Sequence, residues 1–323
     1  MFADAASGTA RISELGFGCA AIGGRVSRKD SLAALGNAFD AGITLYDTAR
    51  SYGYGQSESV VGEFVRGRRE AVVVCTKFGI LPGRPGGWKQ RLKPLARTAL
   101  RMFPGLRKTV QRQVGDQFVG GQFSTENLRT SFETSLRELG TEYVDILLLH
   151  AAPASVLEAD DLLEAMGRLV ESGKVRMAGI SGELAVMSDT FARRPAVLTT
   201  AQFALNLSSM GFVETTRLNG DLLLVGNYPF GGPGGVAAGR AAIAALRAEE
   251  RLPRELREKL DVNDPQVLPE LVLNCILRET GMAAVIPAMM QVRHIRSNVR
   301  AVEECRFSVA ELQLVRDVLQ ASA

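Results

Sequence analysis

The feature of this sequence that most constrains its fold is a regular alternation of short apolar runs with segments of helical spacing. Eight runs have the length and composition of strands, and they cover residues 15–19, 43–47, 71–77, 144–150, 175–181, 197–203, 222–226 and 283–286. Strands that alternate with helices favour a parallel sheet. Eight such units without a recognisable linker predict an α/β fold with one domain over residues 1–323, a (β/α)8 TIM barrel.

Segments with helical spacing lie between most of these runs, at residues 31–39, 57–65, 124–140, 156–172, 269–280, 292–303 and 308–319. Gly42, Gly140 and Gly173 stand where three of the patterns stop, as glycines that end helices do. We therefore expect helices to return the chain from one strand to the next.

One insertion interrupts the pattern, over residues 79–123 after the third predicted strand. It carries no acidic residue before Asp116, and its cations are Arg84, Lys89, Arg91, Lys93, Arg97, Arg101, Arg107, Lys108 and Arg112. Because it leaves the strand that ends at Lys77, we expect it beside the mouth of the active site. It is either a functional lid or docking surface, or a solvated insertion ordered by contacts between molecules.

Composition and charge exclude several classes of function. A net charge of +3 gives no field for generic nucleic-acid binding. Two histidines are too few for a metal site built from several of them, and we expect no metal. The cysteines form no close pair and predict the reduced thiols of a cytoplasmic protein; they are Cys19, Cys75, Cys275 and Cys305. We find no signal peptide and no apolar run of bilayer length, so we expect no membrane partner.

Four polar residues are the candidates for catalysis. Asp47, Lys77 and His150 each end an apolar run, and Tyr52 follows Asp47 after a short turn. In a parallel barrel such strand ends converge at one mouth. A phenol has a reference pKa of about 10, which a nearby ammonium lowers, while a carboxylate anchors that ammonium. The set predicts protonation of an oxygen, with His150 holding a carbonyl oxygen or sharing the proton transfer; a nicotinamide must then supply hydride.

Several segments together resemble the aldo-keto reductase family. They are LGFG at residues 15–18, GITLYDTA at 42–49 running into Tyr52-Gly53, Thr76-Lys77, YVDILLLH at 143–150, GKVR at 173–176, GIS at 179–181, and Gln202. The resemblance implies a (β/α)8 barrel that binds NADPH, less often NADH, without a Rossmann domain. It also implies that Tyr52 is the proton donor, that Lys77 and Asp47 tune it, and that His150 orients the carbonyl.

The same resemblance implies a set of cofactor contacts, which are Cys19, Asp47, Ser181, Gln202, Phe230, Gly231, Gln291, Arg293, His294 and Asn298. The sequence departs from the family pattern at four of the expected positions. Gly182 replaces an asparagine, Asn227 stands where a ring stacks on the nicotinamide unless Tyr228 or Phe230 substitutes, and Met289 and Met290 stand where donors grip the 2′-phosphate. Thioethers donate no hydrogen bond. Either Arg293 still holds NADPH, or selectivity for the 2′-phosphate is weakened, or the cofactor site has partly decayed.

Three functions fit these observations. The first is an oxidoreductase that interconverts a small carbonyl compound (an aldehyde, a ketone or an aldose) with its alcohol. The second is a nicotinamide-binding sensor or regulatory protein with little turnover, and the third is a lyase or isomerase that binds no nicotinamide. Members of the family suggest a monomer or a weak homo-oligomer.

Overall fold

Eight parallel strands form the central sheet of this protein. The computed structural model describes residues 2–3, 11–83, 118–184, 196–207, 222–232 and 234–321. A short antiparallel hairpin, β1 (Phe2–Ala3) and β2 (Ile12–Ser13), comes first. The sheet then contains β3 (Phe17–Gly18), β4 (Leu45–Asp47), β5 (Val73–Phe78), β8 (Val144–His150), β9 (Val175–Gly182), β10 (Leu198–Ala204), β11 (Leu223–Asn227) and β12 (Ala284–Ile286), hydrogen-bonded in this order.

The first and last strands of the sheet meet and close it into a barrel. Leu15 forms a parallel bridge with Val285, and the amide of Gly16 donates to the carbonyl of Val285 at 2.8 Å. The amide of Gly18 donates to the carbonyl of Pro287 at 3.1 Å. Closure removes the unpaired edges that an open sheet would expose. The predicted single-domain (β/α)8 barrel is confirmed.

Helices surround the strands, and they are α1 (Arg28–Asp40), α2 (Ser57–Val65), α3 (Thr125–Leu139), α4 (Asp160–Glu171), α5 (Gly235–Ala248), α6 (Arg254–Lys259), α7 (Val267–Glu279), α8 (Val292–Glu303) and α9 (Val309–Ala321). Helices α5 and α6 were not predicted from the sequence. The predicted start of α4 at residue 156 is too early, because Ala154–Glu158 forms a 3₁₀ turn and Ala159 has non-helical angles. As predicted, α3 ends at Gly140, whose φ of 63° is left-handed and favours glycine.

The pleat of the strands decides which side chains enter the barrel. Along β4, Leu45 packs inside the barrel, whereas Tyr46 faces the helices and its hydroxyl donates to the carbonyl of Ile43 at 3.1 Å. Along β5, Cys75 packs inside, and Thr76 faces outward to the carboxylate of Glu58 on α2. Since side chains alternate with a period of two, Asp47 and Lys77 return to the inner face at the carboxyl end of the barrel.

The opposite end of the barrel is closed by the hairpin and a buried charge cluster. Ile12 of β2 packs with the interior residues, and Ser13 bonds to Thr44 just before β4. Asp145, which is fully buried near the start of β8, accepts hydrogen bonds from Arg69 at 2.7 Å and Arg176 at 3.1 Å. Both guanidinium groups also lie over the ring of Tyr143. The cluster therefore ties β8 and β9 to the segment before β5.

The two ends of the insertion of residues 79–123 pair with each other as two short antiparallel strands. Strand β6 (Leu81–Pro82) pairs antiparallel with β7 (Phe118–Val119), and the ring of Phe118 stacks on that of Tyr54. The basic residues of this insertion, within 84–117, lie outside the described residues, so their predicted role stays a prediction. Within the described ranges, no helix combines the length and apolar character needed to cross a membrane.

Candidate active site

Asp47, Lys77 and Tyr52 form a connected group at the carboxyl end of the barrel. The ammonium of Lys77 is fully buried and donates to Asp47 Oδ1 at 2.5 Å and to the carbonyl of Thr48 at 3.0 Å. Its third contact is the hydroxyl of Tyr52 at 3.4 Å. The strands β4 and β5 are direct neighbours, which places the carboxylate and the ammonium side by side. The geometry thus joins three of the four predicted residues.

The electrostatic balance keeps a proton on Tyr52. Burial raises the pKa of Tyr52 to about 12, Lys77 opposes this effect, and Asp47 adds to it. Burial lowers the pKa of the Lys77 ammonium, but the opposing effects, of which the Asp47 carboxylate is the largest, together outweigh burial, so that this pKa is raised overall. The ammonium of Lys77 lowers the pKa of Tyr52, as the sequence predicted, but desolvation of Tyr52 raises this pKa by more. At neutral pH the pair is a neutral phenol beside a charged ammonium.

His150, the fourth residue, ends β8 and faces Tyr52. The two rings meet edge to face with centroids 5.8 Å apart. Burial, and then the charge of Lys77, lower the pKa of His150 to about 3. Its Nδ1 is buried and finds no hydrogen-bond partner among the described residues. A neutral imidazole donates one hydrogen bond and accepts another, so it suits a carbonyl oxygen better than a full proton transfer.

Besides Asp47, three of the predicted cofactor contacts lie within the same group. Ser181 is the cross-strand partner of both His150 and Gln202. The hydroxyl of Ser181 donates to Gln202 Oε1 at 2.8 Å, and Gln202 Nε2 donates to Asp47 Oδ1 at 2.8 Å. Cys19 lies beneath them, where its amide donates to the carbonyl of Asp47 at 2.9 Å. Burial raises the pKa of its thiol, which stays protonated.

Two further predicted contacts lie in the loop after β11. Phe230 and Gly231 line a cavity of about 420 Å³ together with Asn206, Leu207, Pro229, Gly234, Gly235, Ala238, Gly239, Leu268 and Val272. A Cβ atom on Gly235 would lie 1.9 Å from the carbonyl oxygen of Phe230, so the backbone turn requires glycine there. The loop resembles neither a GxGxxG nor a P-loop sequence, and its backbone forms a concave wall.

Tyr228, rather than Phe230, is the ring close to Tyr52. Its hydroxyl is near enough to raise the pKa of Tyr52, whereas Phe230 packs against the core. Tyr228 is 61% exposed and has a φ of 52°, a backbone conformation that is uncommon for tyrosine. That Tyr228 replaces the ring missing at Asn227 stays a prediction, which its position near Tyr52 favours over Phe230.

The remaining predicted contacts surround the amino end of α8. They do not join the tetrad, which is the group of Asp47, Tyr52, Lys77 and His150. Gln291, Arg293 and His294 are exposed, and Asn298 is buried one turn further along. The backbone carbonyl of Gln291 caps the helix by accepting from His294 and Ile295. Burial and the charge of Arg293 lower the pKa of His294, so that the cation at this end is Arg293.

The two methionines do not occupy equivalent positions. Met289 is fully buried in the hydrophobic core, and Met290 is half-buried against that core. The thioether of Met289 therefore neither binds nor obstructs a phosphate. The exposed amino end of α8 combines the cation Arg293 with the positive end of the helix dipole, which together suit an anion. With Met289 buried and Arg293 exposed, the amino end of α8 fits a nicotinamide dinucleotide better than the sequence pattern indicated.

A polar group on the outer side of the barrel, made by residues on either side of Tyr52 in the chain, was not predicted from the sequence. Glu58, buried on α2, accepts from Arg50 at 2.6 Å and from Thr76 at 2.7 Å. Thr48 bonds to Ser57, whose hydroxyl donates to the carbonyl of Cys19. The available signal was the density of hydroxyl and charged side chains over residues 48–58. In the described ranges, no cluster of three or more His, Cys, Asp or Glu side chains could hold a metal.

Comparisons with known proteins agree with this geometry. The model of the aldo/keto reductase family matches residues 14–320. A probable aldo-keto reductase of Glycine max is 27% identical over 314 residues, covering 90% of this chain and 81% of the relative. An NADH-specific methylglyoxal reductase of Escherichia coli is 24% identical over 339 residues, covering 96% and 95%.

A solved structure gives the same fold. The aldo-keto reductase of Klebsiella pneumoniae in complex with NADPH superposes with a TM-score of 0.63 at 23% identity, covering 95% of this chain and 91% of that chain. The family match spans nearly the whole chain, including all eight strands of the central sheet and the residues of the candidate site. The protein belongs to the aldo/keto reductase family and is an oxidoreductase of that type.

Proposed function

We propose that this protein interconverts a small carbonyl compound and its alcohol with NAD(P)(H), and that Tyr52 is the general acid and base. One observation carries the proposal: a buried ammonium, Lys77, contacts both the Asp47 carboxylate and the Tyr52 hydroxyl. A structural ion pair would need only the first of these contacts. The second gives the phenol a cation that stabilises its conjugate base.

In the reducing direction, the carbonyl oxygen lies between the Tyr52 hydroxyl and the imidazole of His150. A nicotinamide cofactor, when bound, would supply the hydride that the carbonyl carbon receives. As negative charge grows on the oxygen, Tyr52 donates its proton and becomes a tyrosinate beside Lys77. His150, neutral at physiological pH, holds the oxygen by a hydrogen bond through an N–H group. In the oxidising direction the tyrosinate accepts the proton of the alcohol.

The cofactor is NADPH, with NADH as the alternative. The relative in Escherichia coli is named as NADH-specific, and the Klebsiella pneumoniae structure is a complex with NADPH. In this chain Ser181, Gln202 and Tyr228 would hold the nicotinamide end, and the Gly231 turn would cover the pyrophosphate. Arg293 and the amino end of α8 would bind the 2′-phosphate, with Asn298 near the adenine. Small aldehydes and ketones such as methylglyoxal are the first substrates to test, and aldoses follow.

A fluorescence titration with NADPH and with NADH, followed by turnover of methylglyoxal and an aldose panel, tests this function. Binding of either cofactor with measurable turnover supports it. Tight binding without turnover on any carbonyl would favour the sensor, and absence of binding to both cofactors would leave only proton-transfer chemistry.

We also propose that the protein acts in the cytoplasm as a monomer or a weak homo-oligomer. Its cysteines are free, and three of them are buried at positions where a disulfide would have no partner within the described residues. Light scattering over a range of protein concentrations measures the assembly. A stable large oligomer would contradict this part of the proposal.

A further inference from the structure

One oxygen of Asp47 serves two donors. Lys77 Nζ lies 2.5 Å from Oδ1, and Gln202 Nε2 lies 2.8 Å from the same atom. Gln202 is 1% exposed and Asp47 is 4% exposed, so water does not compete for these bonds. Hydrogen bonds to a buried carboxylate disperse its charge and are stronger than bonds between neutral groups.

The orientation of the Gln202 amide is fixed from both ends. An ionised carboxylate only accepts hydrogen bonds, so the amide must present its NH₂ group to Asp47. Its carbonyl Oε1 then faces Ser181, whose hydroxyl donates to it at 2.8 Å. Ser181 and Gln202 are Cα partners on adjacent strands, which holds both side chains on rigid backbone. The alternative amide rotamer would lose both bonds.

We propose that Gln202 is a positioning residue for the proton donor, in addition to any contact with the cofactor. Lys77 lies nearer to Asp47 than to Tyr52, at 2.5 Å against 3.4 Å. By taking a share of the charge on Oδ1, Gln202 limits how far Asp47 draws the ammonium from Tyr52. It also reduces the uncompensated negative charge that Tyr52 meets, since Asp47 raises the pKa of that phenol.

This inference rests on the proposed role of Tyr52. It predicts the direction in which the pKa of Tyr52 changes when the Gln202 donor is removed. Loss of the Gln202 donor leaves Asp47 more negative and its pull on Lys77 stronger. Both changes disfavour the tyrosinate, so the Tyr52 phenol ionises at higher pH. A merely structural glutamine would alter stability without moving this ionisation.

The test uses cofactor-free protein in which 3-fluorotyrosine, a more acidic phenol, replaces tyrosine. The ¹⁹F resonance of residue 52 is assigned by its loss in Tyr52→Phe, and its pH titration is followed. In Gln202→Met we expect the midpoint to rise by about half a unit to one unit. In Ser181→Ala, which leaves the amide donor in place but loosens it, we expect a smaller rise.

The matched control is Gln266→Met, the same substitution at a partly buried glutamine. Gln266 donates to the carbonyl of Ser297 at 2.7 Å, away from the tetrad, and the Tyr52 midpoint should stay unchanged. Unchanged midpoints in both Gln202→Met and Ser181→Ala would overturn the inference. If Gln202→Met does not fold, the Ser181→Ala result decides alone. A shifted midpoint in a protein that turns over no carbonyl would instead refute the proposed function and leave the positioning role standing.

Discussion

The ammonium nitrogen of Lys77 lies 3.4 Å from the phenol oxygen of Tyr52, inside a barrel mouth that leaves the lysine side chain fully buried. A buried ammonium is costly unless it is paired, and Asp47 provides the pairing. The remaining donor capacity of Lys77 is directed at the one group whose conjugate base it stabilises. This relationship determines the expected behaviour of variants and of the pH dependence.

Replacement of Tyr52 by Phe should remove carbonyl reduction while preserving cofactor binding. The ring and its packing against His150 stay, but the transferable proton is lost, and general acid catalysis contributes about 10²–10⁴-fold. Steady-state kinetics and a fluorescence titration measure the two effects. Tyr54→Phe, two residues away on the exposed rim, is the control and should retain activity. Equal activity in both variants would exclude Tyr52 as the proton donor.

The two reaction directions should respond differently to pH. Reduction needs the protonated phenol, and burial, against the opposing effect of Lys77, raises the pKa of Tyr52 to about 12. The rate of reduction should therefore be independent of pH around neutrality. Oxidation needs the tyrosinate, whose fraction rises about tenfold for each pH unit below that pKa. Initial rates of both directions at saturating cofactor check this, and an oxidation rate independent of pH would contradict it.

His150 should make the protein less stable in acid. The unfolded chain binds a proton at the ordinary histidine pKa of 6.5, whereas burial and then Lys77 hold the folded-state pKa at about 3. Between these values the unfolded state binds more protons, so stability falls as pH falls, by at most about 1.4 kcal/mol per unit from this group. Urea unfolding at several pH values should show a weaker acid dependence in His150→Asn. An identical dependence in both proteins would mean that the pKa of His150 does not differ between the folded and unfolded states.

Asp145 should be important for stability and remote from chemistry. Asp145→Asn removes the charge that Arg69 and Arg176 share in a buried site, and breaking such a pair costs about 3–5 kcal/mol. Urea unfolding measures the loss of unfolding free energy. Glu126→Gln removes a carboxylate from an exposed ion pair with Arg129 and should leave stability nearly unchanged, because solvent screens this pair. A small loss in Asp145→Asn would show that the cluster is not buried in solution.

Arg293 should discriminate between the two cofactors. If its guanidinium binds the 2′-phosphate, Arg293→Ala weakens NADPH binding by about tenfold and leaves NADH binding unchanged, since only NADPH carries that group. Arg300→Ala, on the same helix but paired with Glu304, is the control and should change neither affinity. Parallel calorimetric titrations measure both. An equal loss for NADPH and NADH would place Arg293 elsewhere on the cofactor.

The strand ends that hold the tetrad were predictable, because apolar period and strand length are local properties. The run at 144–150 matched β8 in full, and His150 was placed at its end. Helices α5 and α6 were missed because α5 is an alanine-rich segment that begins with glycine, and α6 has six residues, so neither shows a clear apolar stripe. The hairpin of β1 and β2 was missed because its strands have two residues each.

The barrel and the four candidate catalytic residues could be read from the amino-acid sequence, since strand periodicity and strand ends depend on neighbouring residues. The three-dimensional fold was needed to show that Gln202 shares an oxygen of Asp47 with Lys77, because Gln202 and Asp47 are 155 positions apart in the chain. It also decided that burial outweighs Lys77 in setting the pKa of Tyr52, and that Met289 points into the core. Hydrogen-bond direction, desolvation and side-chain orientation after a turn depend on residues that are distant in sequence, and closure of the barrel brings them together.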